Sequence, residues 1–350
     1  MSDHQTCAGV VFTRPLHAEV HEDVPMPQMD EAGALTRTIF STISRGTELD
    51  LYTGQFHSRR AGTQWYPMLP GYIPVGEVLE VGDEVDHIRP GDHVVGSNLF
   101  GDWAGDYCVA WAGHLEQVVY SKDSHSGLAA ERAVKVPEGV PLEHAGVSLL
   151  GAIAYHGVQY KVRPEEGETV FVIGQGAIGS MAAQLCKVRG ARVIVADLCQ
   201  NRLDVAQRWG ADATINASET DMWEELSSLC DGSQPQAIIE VTGEPELLDE
   251  ALHRAPAYCR IHAQGMYLEP LSLYIPETLF GRQLTLSATC GERPEMVRAV
   301  LELMAEGEVV VDHLVSDTMP ASQATEAYER VHENPDEVVT LALDWREVGH

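Results

Sequence analysis

The stretch "TVFVIGQGAIGSMAAQLCKVRGARVIVAD", residues 169–197, decides the fold. It opens on an apolar run of Val, Phe and Ile, which suits a strand buried on both faces. Gly174, Gly176 and Gly179 follow in Gly-x-Gly-x-x-Gly spacing. Ala177 and Ile178 open a helix over 177–190, which Gly190 ends. A second apolar strand runs into Asp197, 18 residues after Gly179. The glycine spacing alone is a weak signal. Set between strand and helix, with an acidic residue ending the next strand, it is the fingerprint of a dinucleotide-binding βαβ unit. Gly174 permits the tight turn, Gly176 lets a pyrophosphate approach the backbone amides, and Gly179 lets helix and strand pack closely. Asp197 would accept hydrogen bonds from ribose hydroxyls and repel a 2′-phosphate, so the expected cofactor is NAD(H) rather than NADP(H).

Working outward, the alternation continues through "QNRLDVAQRWG", which brings Arg202 beside the nucleotide loop, then "AIIEVTG" (237–243) and "RIHAQGM" (260–266). Alternating strands and helices imply a parallel sheet with right-handed crossovers. Thr242, Gly243, Gly265 and Met266 end strands on one sheet edge and are candidates to line the nicotinamide half. Residues 1–148 differ, with short apolar runs bounded by Gly, Pro and Asp, the texture of a twisted, barrel-like β domain. Near residue 290 the alternation breaks into one amphipathic helix and a last strand. The expected division is therefore a β domain over 1–148, a nucleotide-binding domain over 149–290, and a return to the first domain over 291–350.

Asp plus Glu number 53 against 23 Lys plus Arg, a formal net charge of −30. That field repels nucleic acid and anionic membranes, and fits either an ordinary acidic protein or adaptation to high salt. No apolar run is long enough to span a bilayer, and the N-terminus lacks the basic start and apolar stretch of a signal peptide. Seven scattered cysteines with no CxxC pair fit a reduced cytoplasmic protein.

Four segments together resemble the medium-chain dehydrogenase/reductase superfamily of zinc-type alcohol dehydrogenases, over nearly the whole chain. "RGTELDLYTGQF" resembles its Cys-Gly-Thr-Asp-x-His loop, and "PGYIPVGEVLEVGDEV" its Gly-His-Glu segment. "LLGAIAYHGV" is similar to the helix before the nucleotide domain, and "GQGAIG" to the nucleotide loop. The resemblance implies an α/β chain with a GroES-like β-barrel catalytic domain and a Rossmann doubly wound parallel sheet. It also places the zinc-ligand positions of the family on Arg45, Tyr72 and Leu149, with Ile73 replacing the glutamate that follows the second ligand. Catalytic zinc needs three N, S or O ligands and an open position, and an arginine and a leucine supply neither charge nor donor for that. The four-cysteine structural lobe is missing too, since residues 92–120 hold only Cys108. The loops "ISRGTEL" and "PGYIPVGEV" look most like a zinc-lacking branch that includes hydroxyethyl bacteriochlorophyllide a dehydrogenase. The implied reaction is zinc-independent, NAD(H)-dependent interconversion of a secondary alcohol and its ketone, and the implied assembly a homodimer or homotetramer, with 270–288 supplying the paired edge.

Without metal, side chains must manage the substrate oxygen and its proton. Thr47 stands where relatives keep a relay hydroxyl. Tyr72 could donate to a carbonyl oxygen or accept a proton, Arg45 could favour its ionised form or hold substrate, and Glu48 and Asp50 could extend the relay. The bland alternatives are an Arg45–Glu48 pair within the loop, Tyr72 as core packing and Asp50 as a solvated charge. His57 and His156 read as structural, and His114 with 121–130 as an extended loop. An enoyl or quinone reductase and a non-catalytic nucleotide-binding protein remain competing readings.

Overall fold

The computed structural model describes residues 5–55, 65–96, 101–122, 128–230 and 234–348. They divide into two compact units: 1–149 with 293–305 and 314–350, and 150–292 with 306–313.

In the first unit, strand Ala34–Thr42 is the centre of a seven-stranded sheet. It pairs antiparallel with Pro74–Val81 and Gln117–Tyr120, and also with Thr340–Asp344 from the far end of the chain. A four-stranded sheet begins with the hairpin of Thr6–Arg14 and His17–Pro25. The alternation of Thr6–Arg14 is lost because seven of its residues pack inward or nearly so, and Phe12 lies against Tyr52 and Tyr328 at ring separations of 5.4 and 4.9 Å. Such aromatic clusters bury large apolar area in one place, and here they join the N-terminal strand, helix Thr47–Thr53 and helix Ala324–Glu333.

The second unit is a six-stranded parallel sheet in the order 213–216, 192–197, 169–173, 237–240, 260–263, 285–288. Strand Thr169–Ile173 is buried along its whole length, as its unbroken apolar run requires. Helix Ala177–Val188 ends at Arg189, and Gly190 takes φ +81°.

The expectation that 291–350 returns entirely to the first domain is corrected for residues 306–313. Gln184 on helix Ala177–Val188 clamps Val310 at both backbone groups, accepting from its N–H at 2.7 Å and donating to its carbonyl at 3.0 Å. His313 Nε2 lies 3.0 Å from Ser180 Oγ on the same helix. Among the described residues no helix is long and apolar enough to cross a membrane. All seven cysteines are free thiols, and burial pushes Cys186 and Cys259 up to about 12, which leaves them unreactive.

Candidate active site

The nucleotide loop is shaped by what its glycines permit. Gly174 has φ +97°, and a Cβ at Gly179 would stand 2.0 Å from the Gly174 carbonyl oxygen. A Cβ at Gly176, the N-cap of helix Ala177–Val188, would meet nothing within 4 Å. That open space beside free amides of the helix start, flanked by Ala177 and Ile178, suits a pyrophosphate. Asp197 Oδ2 accepts from Gln175 N at 2.7 Å, and Oδ1 accepts from Cys199 N at 2.8 Å. Arg202 Nη1 lies 3.6 Å from Oδ2. A carboxylate has about four acceptor directions, so both oxygens keep capacity for a ribose hydroxyl.

Sequence reasoning missed Glu240, the buried end of strand Ala237–Glu240. Its carboxylate accepts from Thr242 N at 2.8 Å, from the Thr242 hydroxyl and from the Tyr267 hydroxyl, while its carbonyl accepts from Gln264 N at 2.8 Å. Burial and the adjoining carboxylate hold the Tyr267 phenol far above its usual range. Glu240 thus fixes the turns holding Thr242, Gly243, Gly265 and Met266. A Cβ at Gly265 would fall 2.4 Å from Gly243 N, so the two turns touch. The signal for Glu240 was present in "AIIE", an acidic residue closing an apolar buried strand.

The loop of the first unit is organised around Glu48, which has no solvent exposure. Its side chain turns back past the helix start to the residues before it. Oε1 accepts from Ser44 N at 3.1 Å, and Oε2 meets His114 Nε2 at 3.0 Å and the Tyr328 hydroxyl at 2.7 Å. The other ring nitrogen of His114 lies 2.7 Å from Ser41 Oγ, which accepts from Trp345 Nε1 at 2.8 Å. Burial, then Glu48 itself, keeps the Tyr328 phenol protonated. Gly71 makes room for the histidine: at φ +88°, its Cβ would stand 2.4 Å from the His114 ring.

Two expectations are corrected by this geometry. Arg45 and Glu48 do not pair; Arg45 Nη1 donates to the carbonyls of Pro335 and Val338, at 3.1 and 2.8 Å. Glu48 is a buried anchor rather than a group open to substrate. His114 is fully buried in the irregular segment between strands Cys108–Val109 and Gln117–Tyr120, and residues 123–127 of the loop read with it lie outside the described residues. Thr47 and Asp50 are half-buried on helix Thr47–Thr53. Tyr72 is 7% exposed, packs edge-on against Trp111, and donates to Ser44 Oγ at 2.6 Å. His156 is bound to the Gly291 carbonyl at 3.1 Å, and His57 lies outside the described residues.

The family model described as "Zinc-binding dehydrogenase" matches residues 177–306, and that described as "Alcohol dehydrogenase GroES-like domain" matches 41–143. The chain belongs to the medium-chain dehydrogenase/reductase superfamily. This zinc-type alcohol dehydrogenase-like family carries the GroES-like domain and the Rossmann-like sheet seen here, and it makes the chain an oxidoreductase. Similar relatives include a 2-desacetyl-2-hydroxyethyl bacteriochlorophyllide A dehydrogenase of Cereibacter sphaeroides, 28% identical over 87% of this chain and 88% of the relative. An L-threonine 3-dehydrogenase of Pyrococcus abyssi is 26% identical over 88% and 90%. In fold, an Escherichia coli oxidoreductase of unknown specificity superposes with a TM-score of 0.82 at 17% identity, covering 96% of this chain and 98% of that one.

The zinc of medium-chain dehydrogenases does not fit the residues here. Leu149 is a buried aliphatic side chain, Arg45 is a cation bound to carbonyls, and Tyr72 is engaged by Ser44. Among the described residues no group of three His, Cys, Asp or Glu could hold a metal ion. The family model named for zinc covers 177–306, which includes none of these three positions.

Proposed function

We propose that the protein is a zinc-independent, NAD(H)-dependent dehydrogenase that interconverts a secondary alcohol and its ketone. The observation that carries this reading is a phenolic hydroxyl, Tyr72, in place of a metal-binding imidazole, hydrogen-bonded to Ser44 just before the hydroxyl-bearing helix start at Thr47. The nicotinamide, when bound, exchanges a hydride with the substrate carbon. Gly174, Gly176, Ala177, Ile178, Gly179, Asp197 and Arg202 would hold the nucleotide, and Thr242, Gly243, Gly265 and Met266 its nicotinamide half. Tyr72 and Thr47 manage the substrate oxygen and its proton, with Asp50 extending the relay. The similarity to a hydroxyethyl bacteriochlorophyllide dehydrogenase supports a secondary-alcohol substrate. Turnover against secondary alcohols, polyols, ketones, enones and quinones tests it; activity confined to enones or quinones would reject it.

The purified protein should hold no stoichiometric zinc, and chelators should leave its activity unchanged. One tightly bound zinc per chain by elemental analysis would count decisively against the reading.

NAD(H) should bind more tightly than NADP(H). Asp197→Ser should reduce that preference by about tenfold, the effect of one charge-assisted hydrogen bond and one like-charge contact. Arg202 would favour a 2′-phosphate, and its attachment to Asp197 opposes that use. Equal affinities in the unaltered protein, by fluorescence titration, remove the role of Asp197.

The assembly is proposed to be a homodimer or homotetramer paired through edge strand Thr285–Ala288. Next to that edge Tyr274 and Phe280 are 64% and 69% exposed, and covering such an apolar edge is favourable. Light scattering at micromolar concentration should give at least a dimer, and Phe280→Asp should shift it toward monomer. A monomeric parent protein contradicts the proposal.

A further inference from the structure

Ser44 carries none of the sequence arguments, yet its surroundings single it out. It is 4% exposed, and its hydroxyl forms a buried pair with that of Tyr72 at 2.6 Å. Its backbone N–H is tied to Glu48, whose second oxygen is held by His114 and Tyr328. The loop cannot carry Ser44 away from Tyr72 without leaving a buried carboxylate short of a donor, which is costly.

Two hydroxyls at this distance can bond in either sense, since each is both donor and acceptor. With Tyr72 donating to Ser44, the phenol proton is engaged and unavailable to substrate. With Ser44 donating to Tyr72, the phenol proton can be given to another oxygen, and a phenolate formed there keeps one donor.

We propose that Ser44 is a positioning residue acting through Tyr72: its hydroxyl reverses the sense of this bond as Tyr72 gives or receives the substrate proton. This rests on the reading of Tyr72 as the group that exchanges that proton. In the reductive direction the Tyr72 O–H bond breaks as the substrate O–H bond forms, while the hydride supplies the electron pair to the carbonyl carbon. Ser44 donates to the resulting phenolate until solvent returns a proton. In oxidation the same steps run backward. Among the described residues, Glu48, His114 and Tyr328 hold the loop behind Ser44, and the Trp111 ring lies against Tyr72.

Three measurements on the full-length protein with NADH test this. Ser44→Ala should lower kcat about tenfold, the loss of one hydrogen bond made in the transition state, with KM within about twofold. Ser44→Thr, which keeps the hydroxyl, should recover most of kcat. Ultraviolet resonance Raman spectra, with Tyr72→Phe subtracted to isolate Tyr72, should show its hydroxyl bonding changed in Ser44→Ala and retained in Ser44→Thr. This third measurement needs no turnover. An unchanged Tyr72 signature in a folded Ser44→Ala protein, or a kcat unaffected by the substitution, overturns the role of Ser44. A changed signature with turnover indifferent to Tyr72→Phe overturns instead the assignment of Tyr72, and the proposal with it.

Discussion

Thr47→Val and Tyr72→Phe should each lower turnover by about 10²- to 10³-fold, or roughly 3–4 kcal/mol of barrier. Both substitutions keep shape and delete one hydroxyl. Neither residue belongs to the nucleotide loop, so NADH affinity should change by less than about twofold. Asp50→Asn should cost less, because it removes a charge and keeps the polar group. Steady-state turnover and NADH titration on the three variants settle the matter. Losses smaller than about threefold in both hydroxyl variants would place the proton elsewhere, with His57 the next residue to change, since His156 is committed to a backbone carbonyl.

The second large effect concerns stability. Glu48→Ala should destabilise the first unit by about 3–5 kcal/mol, because it takes from the buried Ser44 amide, His114 ring and Tyr328 hydroxyl the carboxylate that they share. Glu48→Gln keeps the volume and one acceptor, and should cost about 1–3 kcal/mol. Calorimetry resolves the unfolding of this unit. A loss below about 1 kcal/mol in Glu48→Ala, the value of an exposed pair, would be incompatible with a buried anchor.

The nucleotide-binding unit was legible from residues 169–197 because its rules are local: a buried strand, three glycines at fixed offsets and a helix lie within one short window. The first unit was legible as a β domain for a similar reason, through short runs between turn residues. The partners of the loop at 44–54 were not. Glu48 meets His114 and Tyr328, which are 66 and 280 positions away, and Arg45 reaches carbonyls 290 and 293 positions along. No periodicity encodes such meetings. A glutamate three residues after an arginine suggests a local pair, and that inference failed because the first helical turn points Glu48 inward while Arg45 extends toward the return segment. Gly71 held the one local hint of His114, since a positive-φ glycine in "PGYIP" leaves space for a bulky neighbour.

The sheet pairing of Ala34–Thr42 with Thr340–Asp344 also constrains how the chain is made. On the ribosome the first 149 residues emerge with part of one edge of that strand bare, at Phe40–Thr42, because Gln117–Tyr120 covers only Ala34–Arg37; the strand that covers the rest is completed only about 195 residues later. At about 5–20 residues per second that interval is roughly 10–40 s. The nucleotide-binding unit, nearly continuous in sequence, can close during the wait. The earlier-born unit cannot, so its open edge must be sheltered by a chaperone or stand exposed to pairing with neighbouring nascent chains.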